Sequence, residues 1–205
     1  MKISTFTGSL SSGHLPDNPT WYIDTCKRKL LFISSNADAL RSNIQFIRPH
    51  LKNVDTIILS AGCTDVSREL QYFLAACPCA DFYLPRVPSE KYVLDINKKL
   101  NGYCQAELKD SILCRTHFTD DIYSIGQHFL IFGNDTRHLA AKEHRQSLLV
   151  QKSSHAVLFS NTDRTASSDR NILTSAQKLT RAQIKYIYDC EGGHLVQTNY
   201  SNFCS

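Results

Sequence analysis

The chain has 205 residues and a formal net charge of +4, a length that suits one large domain or two small ones. Hydrophobic residues make up 42% and charged residues 20% of the sequence, which supplies a substantial core and excludes a disordered, highly charged chain. The only basic runs, Lys27–Lys29 and Lys98–Lys99, have the length of solvated turns, so no nucleic-acid partner is inferred.

Neither an export signal nor a membrane span is predicted. Residues Met1–Leu10 alternate between polar and apolar types, whereas a signal peptide needs a continuous apolar stretch. No segment approaches the roughly 20 apolar residues of a transmembrane helix. We therefore expect a cytoplasmic protein with reduced cysteines. Cys77-Pro78-Cys79 predicts a turn that ends a helix, and we expect four other thiols to pack as small hydrophobes: Cys26, Cys104, Cys114 and Cys190.

The first half of the chain predicts strands and helices in alternation. Trp21–Asp24 and Lys29–Ile33 flank a basic turn and predict a β-hairpin. Apolar residues at helical spacing predict a helix over Ala37–Phe46, ended by Pro49. Further strands are predicted at Ile3–Phe6, Asp55–Ser60 and Asp81–Leu84, and a further helix at Val66–Ala76.

The second half predicts mainly strands. A helix is predicted at Ser168–Leu179, because Asp169 in its first turn and Lys178 in its last suit the helix dipole. Strand pairs and strand–helix units, each occurring twice, predict two sheets with helices outside them, in a single α/β domain of residues 1–205. The predicted strands are Ser111–His117, Asp121–Ile125, His128–Phe132, Gln146–Gln151, Ala156–Ser160 and Ile184–Tyr188.

The stretch Thr56–Ser67 resembles the central motif of the metallo-β-lactamase superfamily. There, an apolar strand ends in Ser/Thr-His-x-His-x-Asp-His, and a helix follows. The strand, the glycine and the aspartate (Asp65) are present in this sequence, but the three histidine positions read Ala61, Cys63 and Val66. The resemblance implies a hydrolase scaffold whose dinuclear zinc motif is largely lost.

Three further segments carry the resemblance, in the family's order. Lys29–Ser35 stands where the family has a strand ending in Asp-Thr-Gly. Gln146–Val150, followed by Val157–Asp163, stands where it has Gln-Ser-Leu and a strand ending in Gly-Cys-Ser-His. Gly192–Leu195 stands where it has Gly-Gly-Phe-His-Leu. The nearest branch is the dihydropterin-aminobenzene phosphate synthase-like group.

The resemblance implies a four-layer αββα sandwich that is shortened at its C-terminus. Typical relatives continue with a further helix and strand after the position of His194, where this sequence has Leu195–Ser205. We therefore expect a less covered sheet edge, which favours pairing with a second copy or with a related subunit. We also expect the loop Ala61–Val66 and His194 to meet at one edge of the sheets, with Asp65 and His194 within about 15 Å, several times hydrogen-bond reach.

Four residues could remain from the metal site: Cys63, Asp65, Asp163 and His194. As thiolate, carboxylate and imidazole they could hold one zinc ion. Alternatively, Asp65 caps the following helix and the other groups bond the backbone, or Cys63 is a reactive thiol with His194 as its base. The other histidines lack ligand spacing and are expected at the surface or in turns.

Support for metal ligands is also lost in the sequence. The supporting aspartate of the Asp-Thr-Gly turn is replaced by Ile33, Ser34 or Ser35, depending on alignment. Losing such support typically costs about 10–100-fold in metal affinity or activity. The first hypothesis is therefore a non-catalytic protein, without a metal cofactor, that binds a ligand or partner.

Two other functions remain open. One is a metal-dependent phosphoester or ester hydrolase with a mononuclear zinc site, and the other is an accessory subunit of a competent relative. The loops that would choose the ligand are predicted at Pro85–Tyr103 and Gly133–Arg145.

Overall fold

The computed structural model describes residues 1–6, 19–34, 37–60, 72–73, 75–85, 114–119, 122–133, 145–160, 166–189 and 192–195, with the backbone alone at 37–39, 166–170, 189 and 192–195. The first group of strands is β1 (Lys2–Phe6), β2 (Thr20–Asp24), β3 (Lys29–Ile33), β4 (Thr56–Leu59), β5 (Asp81–Pro85) and β6 (Thr116–Thr119). The second group is β7 (Ile122–Ile125), β8 (Phe129–Gly133), β9 (Gln146–Lys152), β10 (His155–Phe159), β11 (Gln183–Asp189) and β12 (Gly192–Leu195). The helices are α1 (Ala37–Leu51) and α2 (Ala166–Leu179).

The strands form two six-stranded sheets. The first has the order β1-β2-β3-β4-β5-β6 and the second β12-β11-β10-β9-β8-β7. Strands β3 to β6 pair in parallel, so their carboxyl ends lie at one edge of the first sheet. In the second sheet only β10 and β11 pair in parallel.

Three buried clusters define four layers. In the first cluster, Leu40 and Ile47 of α1 pack on the outer face of the first sheet. In the second, residues of both sheets meet face to face, among them Phe32 and Phe159. In the third, Ile172 of α2 packs on the outer face of the second sheet. The layers are therefore helix, sheet, sheet and helix, as the sequence predicts.

The alternation of β-strand side chains builds these layers. Along β3, Leu31 and Ile33 face α1, whereas Leu30 and Phe32 enter the space between the sheets. Because both faces of such a strand are covered, it reads as a continuous apolar run. Trp21 is fully buried between the sheets, where its ring lies 5.6 Å from the ring of Phe32 and 5.7 Å from that of Phe159, measured between centroids.

Most predicted elements are confirmed within a residue or two of their ends. The β2–β3 hairpin, β4, β5, the strands from β7 to β11 and α2 stand where the sequence predicts them. Of the helix predicted at Val66–Ala76, only residues 72–73 and 75–76 are described, and they are helical. Residues 87–109 and 134–144 lie outside the described part of the chain. No helix in that part is long and apolar enough to cross a membrane.

The prediction that Pro49 ends the first helix is wrong. The helix α1 continues to Leu51 and contains Pro49 in its last turn. A proline there removes one backbone donor, but the helix end is held by other contacts. The N–H of Val54 donates to the carbonyl of Leu51 over 3.0 Å, and the Leu51 side chain is buried against the first sheet.

The packing predicted for two cysteines is also wrong, and one strand begins late. Cys26 and Cys114 are exposed, although both are free thiols as expected. Cys26 occupies the hairpin turn with a φ of 67°, and its N–H donates to Oδ1 of Asp24 over 2.8 Å, an arrangement typical of Asp-initiated turns. The strand predicted from Ser111 begins only at Thr116. Cys77 is buried, Cys79 is exposed and both are free, in the turn that the sequence predicts.

Candidate functional site

The carboxyl ends of the parallel strands define the candidate site. Chain segments leave this edge after β3 at Ser34, after β4 at Ser60 and after β10 at Ser160. The N–H of Ser60 donates to the carbonyl of Ile33 over 2.8 Å, which ties the ends of β3 and β4 together. In open α/β sheets, ligands bind outside such carboxyl ends, and residues 61–66 follow Ser60 in the sequence.

Gln146, at the start of β9, joins the two sheets at this edge. Its backbone N–H donates to the carbonyl of Ser60 over 2.6 Å, and its Nε2 donates to the carbonyl of Leu59 over 2.5 Å. Its Oε1 accepts from Oγ1 of Thr119 over 2.5 Å, and the same hydroxyl lies 3.0 Å from the carbonyl of Leu84. Gln146 is only 2% exposed. This amide therefore fixes the end of β4, shortly before Cys63 and Asp65 in the sequence.

A second polar pair stabilises the opposite face of the second sheet. Oγ of Ser147 donates to Oγ of Ser160 over 3.1 Å, and both side chains are buried. Because Leu148 faces the other sheet and Leu149 faces α2, alternation places Ser147 on the α2 side. The N–H of Ser160 donates to the carbonyl of Tyr188 over 2.9 Å, which continues the link to β11.

The buried polar side chains described at this edge are all uncharged: Ser34, Ser60, Thr119, Gln146, Ser147 and Ser160. Arg145, which precedes Gln146, is half-buried and adds a positive charge. Zinc needs thiolate, imidazole or carboxylate donors. The described side chains at this edge therefore do not supply a donor set for a metal.

The predicted site residues lie mostly beyond the described part of the chain. Cys63, Asp65 and Asp163 are outside it, and His194 is described by its backbone in β12. His194 pairs with Ile187, which pairs with Leu158 on β10. It therefore lies one register position from the end of β10, close to the candidate edge. The separation of Asp65 and His194 stays a prediction.

The position of the supporting aspartate is partly described. Ile33 is buried and packs with α1 in the first cluster, so it faces away from the space between the sheets. Ser34 is 5% exposed, and its N–H donates to the carbonyl of Pro19 over 3.3 Å. Neither residue offers a carboxylate, and Ser35 lies outside the described residues.

Elsewhere, within the described ranges, no group of three or more histidine, cysteine or acidic side chains is close enough to hold a metal ion. His128 and His155 are exposed, as expected. His50 and His117 are instead half-buried on aromatic rings, with 4.8 Å from the centroid of His50 to that of Tyr22, and the same distance from His117 to Tyr83.

In the described part of the chain, the shifted pKa values result mainly from burial of the groups. Burial raises the pKa of the Cys77 thiol to about 11, against a smaller lowering by Arg115. Burial, with Asp81 and Tyr123, raises the pKa of Tyr83 to about 12, although Arg28 opposes the shift. Both groups are neutral near pH 7, and Sγ of Cys77 donates to the carbonyl of Leu51 over 3.3 Å.

Sequence reasoning missed the roles of Gln146 and Thr119. A signal was available for Gln146, because it is a buried amide that closely precedes the apolar run Leu148–Val150 of β9. Thr119 gave no such signal, since its partner lies 27 positions away in the sequence.

Comparison with solved structures places the chain in the metallo-β-lactamase fold. A protein of Thermotoga maritima provisionally classed as a metallo-β-lactamase matches with a TM-score of 0.52 and 10% identity, over 95% of this chain and 98% of that one. AidC, a dizinc quorum-quenching lactonase, matches with a TM-score of 0.51 and 11% identity, over 88% and 76%.

A third match is to a longer protein, of which this chain spans about half. Rubredoxin oxygen:oxidoreductase of Desulfovibrio gigas matches with a TM-score of 0.55 and 10% identity, over 94% of this chain and 55% of that one. No family model and no curated protein matches the sequence. At these identities the likeness shows the fold alone, and membership of the superfamily and of a branch within it stays a prediction.

Proposed function

We propose that this chain is a non-catalytic metallo-β-lactamase-fold protein that binds a ligand or partner at the carboxyl edge of its sheets. The observation that carries the proposal is the sequence that follows β4, where Ala61, Cys63 and Val66 occupy the three histidine positions of the motif. Alanine and valine cannot ligate a metal, so the dinuclear donor set is incomplete.

The described part of the edge supports this proposal. Leu59, Ser60 and Thr119 are tied to Gln146 by hydrogen bonds between neutral groups. Such a network holds the strand ends in place without a cation, because its described donors and acceptors have partners within the protein. A scaffold of this kind can present a binding surface after the catalytic donors are lost.

The alternative is a metal-dependent hydrolase with one zinc ion. Cys63, Asp65, Asp163 and His194 would hold it, since thiolate, carboxylate and imidazole all suit zinc. Bound zinc would act as a Lewis acid and lower the pKa of a bound water. A catalytic zinc ion keeps one position for water, so at most three of these four side chains would hold it at a time.

Metal content separates the two functions. Protein purified without chelator is analysed for metal by mass spectrometry, and the proposal expects no stoichiometric zinc. One tightly held ion that His194→Ala removes would establish the alternative. The matched control is His128→Ala, which deletes an exposed histidine from the turn between β7 and β8 and leaves metal content unchanged. Two ions per chain would overturn both functions.

A protein partner is a second form of the proposal. We propose that such a partner is either a second copy of the chain or a related subunit. Gel filtration with light scattering detects the former, and co-purification of a related protein detects the latter. A chain that stays monomeric and unaccompanied would leave a small ligand as the occupant of the edge.

A further inference from the structure

A groove of about 310 Å³ lies at the other end of β9 and β10 from the candidate site. Gln146 begins β9 at the candidate edge, whereas Lys152 ends β9 beside the groove. With a rise of about 3.3 Å per strand residue, those six steps separate the two places by roughly 20 Å. The groove is therefore independent of the function proposed above.

The floor of the groove is the open end of the core between the sheets. Val150 and Val157 belong to the second cluster and also line the groove. Met1 and Tyr186 line it as well, and each is 40% exposed. Val150 and Val157 are only 2% and 8% exposed, so the apolar surface open to a ligand belongs mainly to Met1 and Tyr186. Such surface can bury an aliphatic or aromatic body.

A β-bulge directs two neighbouring residues into the groove. Ala156 pairs with Ile184 and Val157 pairs with Tyr186, so Lys185 is an extra residue in β11. On a regular strand, Lys185 and Tyr186 would face opposite sides of the sheet, yet both line the groove. Bulges re-aim side chains in this manner and occur often beside functional sites.

The charges around the groove are positive. Lys152 and Lys185 line it, and no acidic side chain does so among the described residues. Neither lysine has an ion-pair partner in the described ranges. The Nδ1 atom of the neighbouring His155 ring lies 3.0 Å from Oγ of Ser154. Two cations beside an apolar floor are complementary to an anion with an apolar body.

We propose that this groove binds a small amphipathic carboxylate, with its apolar body against Met1 and Tyr186 and its carboxylate at the ammonium groups of Lys152 and Lys185. Ligand pockets usually enclose about 300–1,000 Å³, so a volume of about 310 Å³ suits a short acyl chain or a single ring. The carboxylate stays near the surface, where the exposed ammonium groups meet it.

The test is an NMR titration of the full chain with sodium octanoate below its micellar concentration. The expected result is saturable shifts of the backbone amides of residues 150–157 and 185–186. Acetate has no apolar body and octyltrimethylammonium has the opposite charge, so both are expected to bind at least about tenfold more weakly. Equal binding of either probe, or shifts confined to other residues, would overturn the proposal.

Charge variants identify the headgroup contact. The double variant Lys152→Ala/Lys185→Ala is expected to weaken octanoate binding about three- to tenfold, as two exposed ion pairs would, and Lys152→Arg/Lys185→Arg to retain it. The matched control Lys52→Ala/Lys178→Ala removes the same charge from two exposed positions on the helix side. If the control weakens binding equally, general electrostatic attraction explains the effect and the groove is not the site.

Discussion

Gln146 shows how one side chain can fix the relation of two sheets. Its amide donates to Leu59 and accepts from Thr119, and replacing it with the similarly sized leucine would leave the buried Leu59 carbonyl without that donor. We expect Gln146→Leu to lower the free energy of unfolding by about 1–3 kcal/mol. Gln45→Leu, an exposed position of α1, is the matched control, with an expected change within about 0.5 kcal/mol.

Urea unfolding monitored by tryptophan fluorescence measures both variants. Trp21 is the sole tryptophan and is fully buried between the sheets, so its emission reports the separation of the two layers. A loss in Gln146→Leu no larger than that in Gln45→Leu would show that the two sheets do not depend on this amide.

Cys77 should make stability fall at alkaline pH. Burial raises its pKa from 9.0 to about 11, so below pH 9 the thiol is protonated in both the folded and the unfolded states. Between these values the unfolded chain releases the proton and the folded chain keeps it, and the free energy of unfolding decreases as pH rises. The loss approaches about 2–3 kcal/mol at pH 11, since one pKa unit corresponds to about 1.4 kcal/mol.

The measurement is the urea midpoint from pH 8 to pH 10.5 for the parent chain and for Cys77→Ala. The variant is expected to be less stable at pH 8 and to lose less stability above pH 9. Cys26→Ala is the control, because the Cys26 thiol is exposed, and it should keep the slope of the parent chain. Parallel curves for the parent chain and Cys77→Ala would refute the assignment.

At the scale of elements, α1 buries the polar side chain of Asn43 against the first sheet. Asn43 is fully buried, and its amide oxygen and nitrogen have no hydrogen-bond partner in the described structure. An unsatisfied buried polar group costs about 1–3 kcal/mol, and leucine also has the higher helix propensity. We expect Asn43→Leu to raise the free energy of unfolding by about 1 kcal/mol.

Thermal unfolding tests this expectation against Ser42→Leu, at a neighbouring exposed position of α1. The control should show a smaller effect, because its leucine stays in water. If Asn43→Leu instead destabilises the chain, the amide has a binding partner that matters for folding, or the face of α1 is too tightly packed for the larger side chain.

Elements were predictable where local pattern and packing agree. The apolar runs of β3, β4 and β9 match strands that are buried on both faces, so the sequence alone could identify these segments as strands. The end of α1 could not, because the burial of Leu51 outweighs the proline two residues earlier. The bulge at Lys185 arises from pairing with β10, so no local pattern in the sequence predicts it.

At the scale of the whole molecule, the candidate site depends on more than its loop. We expect the triple variant Ala61→His/Cys63→His/Val66→His to lack hydrolytic activity. Ile33, at the end of β3, offers no carboxylate and packs with α1 instead. Asp163 adds negative charge at a position where the motif has an imidazole. Ligand orientation by supporting groups contributes about 10–100-fold, and three introduced histidines alone do not replace it.

Phosphodiesterase, phosphomonoesterase and lactonase assays of the triple variant, with added zinc or manganese, measure this outcome. Circular dichroism confirms that the variant is folded, and the parent chain provides the baseline. Robust turnover that depends on the metal would show that the scaffold is still organised for catalysis and that the proposed loss of the site is wrong.

The sequence by itself determined the layers of this protein and most of its strands in their order along the chain. Alternation within strands and helical spacing within α1 and α2 encode which faces are buried, and these are local properties that the chain carries residue by residue. The motif positions at Ala61, Cys63 and Val66 likewise followed from the sequence alone.

Only the tertiary structure decided the contacts between distant segments. The link from Gln146 to Leu59 spans 87 positions, and the groove between Lys152 and Lys185 exists because β10 pairs with a bulged β11. Such contacts depend on sheet register and on the stacking of two sheets, which no local pattern specifies.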